Sequence, residues 1–220
     1  MNRSTPFLKI DKVSRRYGKI AAVKELSLEL DHGSSLVIMG PSGSGKTTLL
    51  RLIAGLEQPD QGAIYLKGKL VSSKDYIMPP HLRKLGFVFQ TPALWPHMTV
   101  RENITFGLNG LPKKDAEERA AALMGKMEIE NLAARYPEQI SGGEARRASL
   151  ARALAPRPEC LLMDEPLTNL DHDLKLKLLG IIGRTLEEYR IALVFVTHDE
   201  SEAREIKGQR LRLKGGVLNS

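Results

Sequence analysis

Three short stretches of this chain combine residue types that can act on a phosphorylated ligand. Gly40-Pro41-Ser42-Gly43-Ser44-Gly45-Lys46-Thr47 fills every position of the phosphate-binding loop pattern. Glycines at that spacing let successive backbone N–H groups converge on an anion, and a helix starting behind the loop adds the positive end of its dipole. Lys46 is then placed to reach the β- and γ-phosphates of a nucleotide and the Thr47 hydroxyl to ligate Mg²⁺, with Thr48 beside it in the same nucleotide-binding stretch. Cys160-Leu161-Leu162-Met163-Asp164-Glu165 is an apolar run ending in two adjacent carboxylates. An aspartate at a strand tip facing such a loop holds Mg²⁺, and the residue after it accepts a proton from an attacking water. Taken alone, the acidic pair fits an ordinary solvated turn equally well. Ser141-Gly142-Gly143-Glu144, ahead of Ala145-Arg146-Arg147, sets a hydroxyl and two glycines at a helix start whose first N–H groups are free. By itself it is a capping box, Ser141 at the N-cap and Glu144 three residues on; a helix end that caps well also binds anions well. Together the three stretches describe a hydrolase of a Mg-nucleotide.

Such groups need strands to present them. Ser34 to Met39 is a short apolar run feeding the glycine loop, and Thr47 to Ala54 continues with helical composition. Leu26 to Leu30 alternates like a half-exposed strand, Asp31-His32-Gly33 and Gln58 to Gly62 are turns, and Ala63 to Leu66 and Leu85 to Phe89 are further strands. Asp115 to Ala155, rich in Ala, Glu, Leu, Met and Arg, is helical, with breaks near Tyr136-Pro137 and Ser141 to Gly143. Cys160 to Met163 and Ile191 to Val196 have the look of buried parallel strands, with a helix from Leu174 to Tyr189 between them. Alternating strands and helices predict an α/β parallel sheet with a helical insertion.

The 220 residues suffice for one full core and a smaller subdomain. The hydrophobic fraction of 42% and charged fraction of 27% are those of a globular protein. Aromatics at 5% argue against a nucleic-acid stacking surface, so no nucleic-acid partner is expected. The net charge of +7 comes without a dense Lys/Arg run and fits a solvated surface biased toward a membrane. A single cysteine, Cys160 in an apolar stretch, excludes an internal disulfide and is expected to be a small buried hydrophobe. No apolar run is long enough to span a bilayer and the N-terminus lacks a signal-peptide pattern. A cytoplasmic protein that reaches the inner face of the cell membrane through a partner is therefore expected.

At the three stretches together, and over nearly its whole length, the chain resembles an ABC transporter ATP-binding subunit. Residues 40–47 resemble the Walker A motif of that family, 160–165 its Walker B motif with the catalytic glutamate, and 141–144 its signature motif. Tyr17 in Arg16-Tyr17-Gly18 resembles the aromatic that stacks on adenine, and Gln90 the glutamine that joins Mg²⁺ to the attacking water. Thr168-Asn169-Leu170-Asp171 resembles the D-loop, and His198 in Thr197-His198-Asp199 the switch histidine that contacts the γ-phosphate. Each of these residues taken singly also has a plain structural role, Asp171 as a helix N-cap among them. His32, His81 and His172 match no motif and are expected on the surface. The resemblance implies an α/β fold: a P-loop NTPase (RecA-like) core, an antiparallel β-subdomain and an inserted helical subdomain at about residues 91–156, within a single domain. It implies catalytic roles for Glu165, His198, Gln90 and Lys46, Mg²⁺ at Thr47, Gln90 and Asp164, and ATP bound between two copies. In such a pair, Ser141, Gly142 and Gly143 close over the γ-phosphate held by the opposite subunit. The chain departs from the family pattern at Ile140, at Glu144, where glutamine is common, and at Thr168-Asn169; none of these removes a group that hydrolysis needs.

The segment Ala93 to Ile104, after Gln90, resembles the permease-facing segment of bacterial importer ATPases serving oxyanions, metals, polyamines, thiamine and sugars. Exposed Trp95, Pro96 and Met98 are expected to form its contact patch, with membrane permease subunits and an external solute-binding protein as further partners. An ATPase of a lipoprotein-release, macrolide-export or cell-division complex is the alternative, with which Glu144 is compatible. The interval from Gln90 to Ser141 is too short for the coiled coil of a chromosome-maintenance ATPase. With few residues after His198, the C-terminal β-domain of some importers is not expected.

Overall fold

Runs of consecutive apolar residues become strands only where a sheet is covered on both faces. Leu36–Ile38, Cys160–Met163 and Ala192–Val196 are buried at every position, and they form the centre of such a sheet. The computed structural model describes residues 5–168 and 170–219. In chain order the elements are β1 (Leu8–Tyr17), β2 (Ile20–Leu30), β3 (Ser35–Met39), α1 (Lys46–Ala54), β4 (Gln61–Leu66), β5 (Lys69–Ser73), β6 (Tyr76–Ile77) and β7 (Leu85–Val88). There follow α2 (Val100–Thr105), α3 (Lys113–Met127), α4 (Gly142–Leu154), β8 (Cys160–Asp164), α5 (His172–Tyr189), β9 (Ala192–Thr197), α6 (Glu200–Glu205), β10 (Gln209–Lys214) and β11 (Val217–Asn219). The fold is α/β. A six-stranded sheet runs β11-β10-β3-β9-β8-β7, parallel except for β11, and an antiparallel sheet runs β2-β1-β4-β5-β6.

The alternation of side chains along the parallel strands divides the interior in two. Val37, Leu161, Met163, Leu193 and Phe195 face a core built with α2, α3, α4 and α5. Leu36, Ile38, Cys160, Leu162, Val194 and Val196 face the opposite core, shared with α1 and the antiparallel sheet. Cys160 is fully buried, and burial pushes its thiol far above the usual range. His32, His81 and His172 are exposed, as expected.

The antiparallel sheet is where the sequence misleads. β2 begins at Ile20, not near Leu26, and β1, β5 and β6 carry no clean alternation. The β1–β2 ladder slips register between Ile10 and Val13 and again near Arg15, and Lys12 and Glu25 sit at positive φ. Each bulge shifts the inward-facing parity by one residue, which erases a period-two signal. β10 was hidden for another reason: its Gln-Arg-Leu-Arg-Leu-Lys sequence is mostly exposed, and within it only Leu213 is buried.

Arg83 joins α1 to the antiparallel sheet. Its guanidinium, 4% exposed, donates to Leu52 O (3.3 Å) and Ile53 O (2.8 Å) at the end of α1. It also donates to Val71 O (2.9 Å), Ser72 Oγ (2.7 Å) and Met78 O (3.0 Å). Burial lowers its pKa to about 10, still well above neutrality. Arg83→Met leaves these acceptors without a donor. By charged hydrogen-bond energetics it should destabilise the fold by about 3 kcal/mol. A thermal melt should then show a fall of roughly 6–12 °C for a chain of this size; an unchanged melting point would show that water replaces the guanidinium.

Candidate nucleotide-binding site

The order of the parallel strands decides which loops meet. β3, β9, β8 and β7 are neighbours pointing the same way, with Met39 opposite Thr197 and Asp164 opposite Val196. The Gly40 loop leaves β3, His198 leaves β9, Asp164 and Glu165 end β8, and Gln90 follows β7 shortly after Val88. All lie along one carboxyl edge of the sheet, the place where open parallel sheets bind ligands.

The loop is shaped for an anion. Gly45 caps α1 in the left-handed region, φ 105°, and a Cβ there would lie 2.1 Å from Ala22 O. A Cβ on Gly40 would lie 2.2 Å from Leu213 O, so the loop fits between β2 and β10 only with glycine at both positions. Gly43, φ 76°, has open space beside it. Among the described residues the buried Ser44 hydroxyl has no hydrogen-bond partner, which is unusual for a protein interior. The Lys46 ammonium, 4% exposed, donates to Gly40 O (2.8 Å) and Pro41 O (3.1 Å) and pairs with Glu165 Oε1 at 3.3 Å. A buried cation, a buried hydroxyl and the N–H groups of a helix start are the donors that a phosphate cradle needs.

The acidic side completes the cluster. Thr47 Oγ1 donates to Asp164 Oδ1 at 3.1 Å, and the other Glu165 oxygen, Oε2, lies 2.9 Å from His198 Nδ1. Asp164 is held above the usual carboxylate range, chiefly by burial and also by its neighbour Glu165, against the Thr47 hydrogen bond. A cation between Asp164 and Thr47 would relieve that burial penalty, so the oxygen donors present fit Mg²⁺. Glu165 has a left-handed backbone, φ 44°, which costs about 1–3 kcal/mol and persists only where neighbours fix it. Its N–H donates to Val196 O and its carbonyl accepts from Thr168 Oγ1. A hollow of about 300 Å³ lined by Gly40, Pro41, His198 and Glu200 adjoins the cluster. A larger hollow, about 900 Å³, lies at the opposite end of the strands against α5 and contains none of these groups.

A family model described as ABC transporter matches residues 23–168. The chain belongs to the ABC transporter family. It is 42% identical over 95% of its length to the sulfate/thiosulfate import ATP-binding protein CysA of Synechocystis sp., of which it covers 58%. It is 42% identical over 96% of its length to the Fe(3+) ions import ATP-binding protein FbpC of Pseudomonas fluorescens, covering 60% of that protein. The chain thus spans about 60% of the length of these curated relatives. Among solved structures, a dimeric ATP-binding cassette in a post-hydrolysis state bound to ADP and Pi superposes with a TM-score of 0.87 at 32% identity, over 97% of both chains.

Within this ABC cassette the remaining motif residues fall outside the cluster. Ser141 caps α4, accepting from Glu144 N at 3.3 Å, while Glu144 Oε2 accepts from Ser141 N at 2.7 Å. Hydrogen bonds to its carboxylate from Ser141, the backbone N–H first and then the hydroxyl, lower the Glu144 pKa. Gly143 packs toward Leu170 and Leu174, so the start of α4 adjoins the loop before α5 rather than Lys46. Asp171 caps α5 through Leu174 N (2.9 Å), while Asn169, the centre of the expected D-loop, lies outside the described residues. Tyr17 ends β1 half-exposed, its hydroxyl donating to Glu57 and its ring under the Arg15 guanidinium at 5.1 Å. Arg15 also pairs with Asp60 at 2.9 Å. Gln90 is exposed. Met98, expected on the surface, is half-buried; Trp95 is 46% exposed and packs on Phe106 at 5.8 Å. Fully buried Asn103 holds that turn, accepting from Trp95 N and donating to Trp95 O, Met98 O and Thr99 O.

One functional neighbour escaped the sequence reading. Lys175 on α5 pairs with Asp199 and Glu202, both at 2.8 Å, and Glu202 Oε2 accepts from Thr197 Oγ1 at 2.6 Å. The residues flanking His198 are thereby pinned to α5. The only hint in the sequence was a cation one turn after the Asp171 cap. Hydrogen bonds from Lys175 and Ser201 hold the Asp199 carboxyl far below its ordinary range. A depressed carboxylate stabilises the fold above its unfolded value, near 3.9, and that stabilisation is lost as pH falls toward the folded value. Lys175→Met should therefore lower the melting temperature at pH 7, and the gap to the native chain should narrow below about pH 4. A gap independent of pH would show that the pair is not what stabilises the loop.

Proposed function

We propose that this chain is an ATPase, the nucleotide-binding subunit of an ABC transporter of importer type, working as one half of a homodimer that sandwiches two ATP. The convergence of Lys46, Glu165 and His198 on one sheet edge, through contacts of 3.3 and 2.9 Å, carries the reading. Gly40 to Thr48 cradle the phosphates, and Tyr17, braced by Glu57 and Arg15, stacks on adenine. Thr47, Asp164 and Gln90 hold Mg²⁺, which when bound neutralises charge on the phosphate oxygens. A γ-phosphate draws Lys46 away from Glu165, leaving Oε1 free to accept a proton from water aligned by Gln90. His198, hydrogen-bonded to the other oxygen, orients that carboxylate and contacts the γ-phosphate. Ser141, Gly142, Gly143 and Glu144, with Asp171, act on the nucleotide of the opposite copy, which agrees with their place away from this chain's own Lys46.

The importer assignment draws on relatives named for import of sulfate/thiosulfate and of Fe(3+), and it favours an oxyanion or metal-ion cargo over the lipoprotein-release alternative. No helix among the described residues is long and apolar enough to cross a membrane, so membrane attachment falls to permease subunits at the inner face, with an external solute-binding protein supplying cargo. Glu165→Gln keeps the cradle and removes the base, so ATP binding should persist while turnover falls about 100- to 10,000-fold. With Mg-ATP the variant should run as a dimer on a sizing column. Near-native turnover would place the base elsewhere.

Trp95, on the turn that follows Gln90, packs on Phe106, just after α2, to form an exposed aromatic pair. Aromatic anchors of this kind carry about 2 kcal/mol or more of binding energy in interfaces. Trp95→Ala should leave ATP turnover by the free subunit unchanged and weaken co-purification with its permease. Assembly undisturbed by that change, with cargo still stimulating hydrolysis, would remove this patch from the permease interface.

A further inference from the structure

Arg146, on the second turn of α4, uses one guanidinium nitrogen for two carbonyls. Nη1 donates to Gln90 O at 3.0 Å and to Pro166 O at 2.6 Å. Farther along the same helix, Arg152 Nη1 donates to Ala93 O at 2.6 Å, in the segment that continues from Gln90. We propose that Arg146 is a positioning residue for hydrolysis: it fixes the separation between the Gln90 loop and the Glu165 loop and makes that separation follow α4. The proposal rests on the roles given above to Gln90 and Glu165.

The need for such a bridge follows from the sheet. β7 and β8 are paired only as far as Val88 opposite Met163; beyond that point no ladder relates the two loops that carry the functional side chains. Pro166 has no N–H, so its buried carbonyl is the only backbone group it has for fixing the chain just after Glu165. The guanidinium binds that carbonyl and the Gln90 carbonyl with the same atom, which leaves little freedom between them. Nη1 carries two hydrogens, so both bonds can be made together. Ser141 and Gly142 begin the helix one turn earlier. A displacement of the end of α4 that meets the opposite copy's phosphate is therefore delivered through Arg146 to this chain's own Gln90 and Glu165.

The test is the steady-state Mg-ATPase kinetics of the purified chain for Gln90→Ala, Arg146→Met, Arg146→Lys and the Gln90→Ala/Arg146→Met double variant. Misplacement of reacting groups should lower kcat of Arg146→Met by roughly 10- to 100-fold with little change in KM. Lysine, which keeps the charge and a multiple donor, should recover most of that loss. In the Gln90→Ala background the Arg146→Met loss should shrink markedly, because the two act as a unit. If methionine prevents folding, the smaller loss in Arg146→Lys must shrink in the same background. Unchanged kcat in Arg146→Met would overturn the proposal. So would losses that multiply in full in the double variant, or a raised KM and lowered melting point that lysine does not correct; each marks a purely structural arginine. If Gln90→Ala alone leaves kcat unchanged, the Gln90 assignment fails, and the proposal with it.

Discussion

The ammonium of Lys46 is a full charge taken almost wholly out of water, and much of the molecule is arranged around that fact. An uncompensated buried cation is so costly that acceptors must be delivered to it from the fold itself. Two are the carbonyls of Gly40 and Pro41, which requires the chain to double back over the start of α1. That path has room only for glycine at 40 and 45, because β10 and β2 press on it from either side. The third acceptor, Glu165, must come from another strand, and it arrives with a left-handed backbone that its neighbours hold in place. Lys46 thus couples the loop, both sheets and the end of β8 at one atom. A ligand phosphate that takes over this cation changes the partner of Glu165 at the same moment.

The parallel sheet supplies the rigidity for this arrangement and also divides the molecule. Its two faces feed two cores, one shared with α1 and the antiparallel sheet, the other with α2, α3, α4 and α5. The Lys46 cluster sits on strand ends that both cores fix. The start of α4 is attached to one core only. Polar ties cross from the helical side to the strand ends: Arg146 to Gln90 and Pro166, and Lys175 to the residues around His198. Both are long cations gripping backbone or carboxylate oxygens. Such bonds tolerate a small rotation better than interdigitated apolar packing does.

What the sequence disclosed follows from how much of each feature is local. The glycine loop between β3 and α1 was legible, because its glycines, Lys46 and Thr47 stand in one short run and its shape depends on backbone geometry within a single turn. β8 and β9 were legible because burial on both faces leaves an unbroken apolar run. β1 was not, since bulges at Lys12 and near Arg15 shift its inward face, and β10 shows mainly its solvent side. The half-burial of Met98 was invisible for a related reason: buried Asn103 draws the whole turn inward through side-chain hydrogen bonds. Arg146 and Lys175 were missed because their partners stand far away in sequence, 56 residues for Arg146 and Gln90, 24 for Lys175 and Asp199. A surface-type residue on a helix gives no sign of a distant acceptor.

Glu144 shows how a departure from the family pattern can be absorbed by local physics. A carboxylate at the first turn of a helix is favoured by the dipole, and here it also closes a capping box with Ser141. Hydrogen bonds from Ser141 hold its carboxyl below the ordinary carboxylate range. In the proposed dimer this same helix end meets a phosphate, and two anions at one helix start repel. Three features limit the conflict. The Glu144 side chain folds back onto Ser141 N at 2.7 Å and is held there by the box. Arg147 lies close enough to offset part of its charge. The N–H groups of Gly142 and Gly143 are not used by the box, and beside Gly142 there is open space. The carboxylate therefore stabilises the helix start through Ser141 while leaving the N–H groups of Gly142 and Gly143 outside the box, open to the anion that the proposed dimer would bring there.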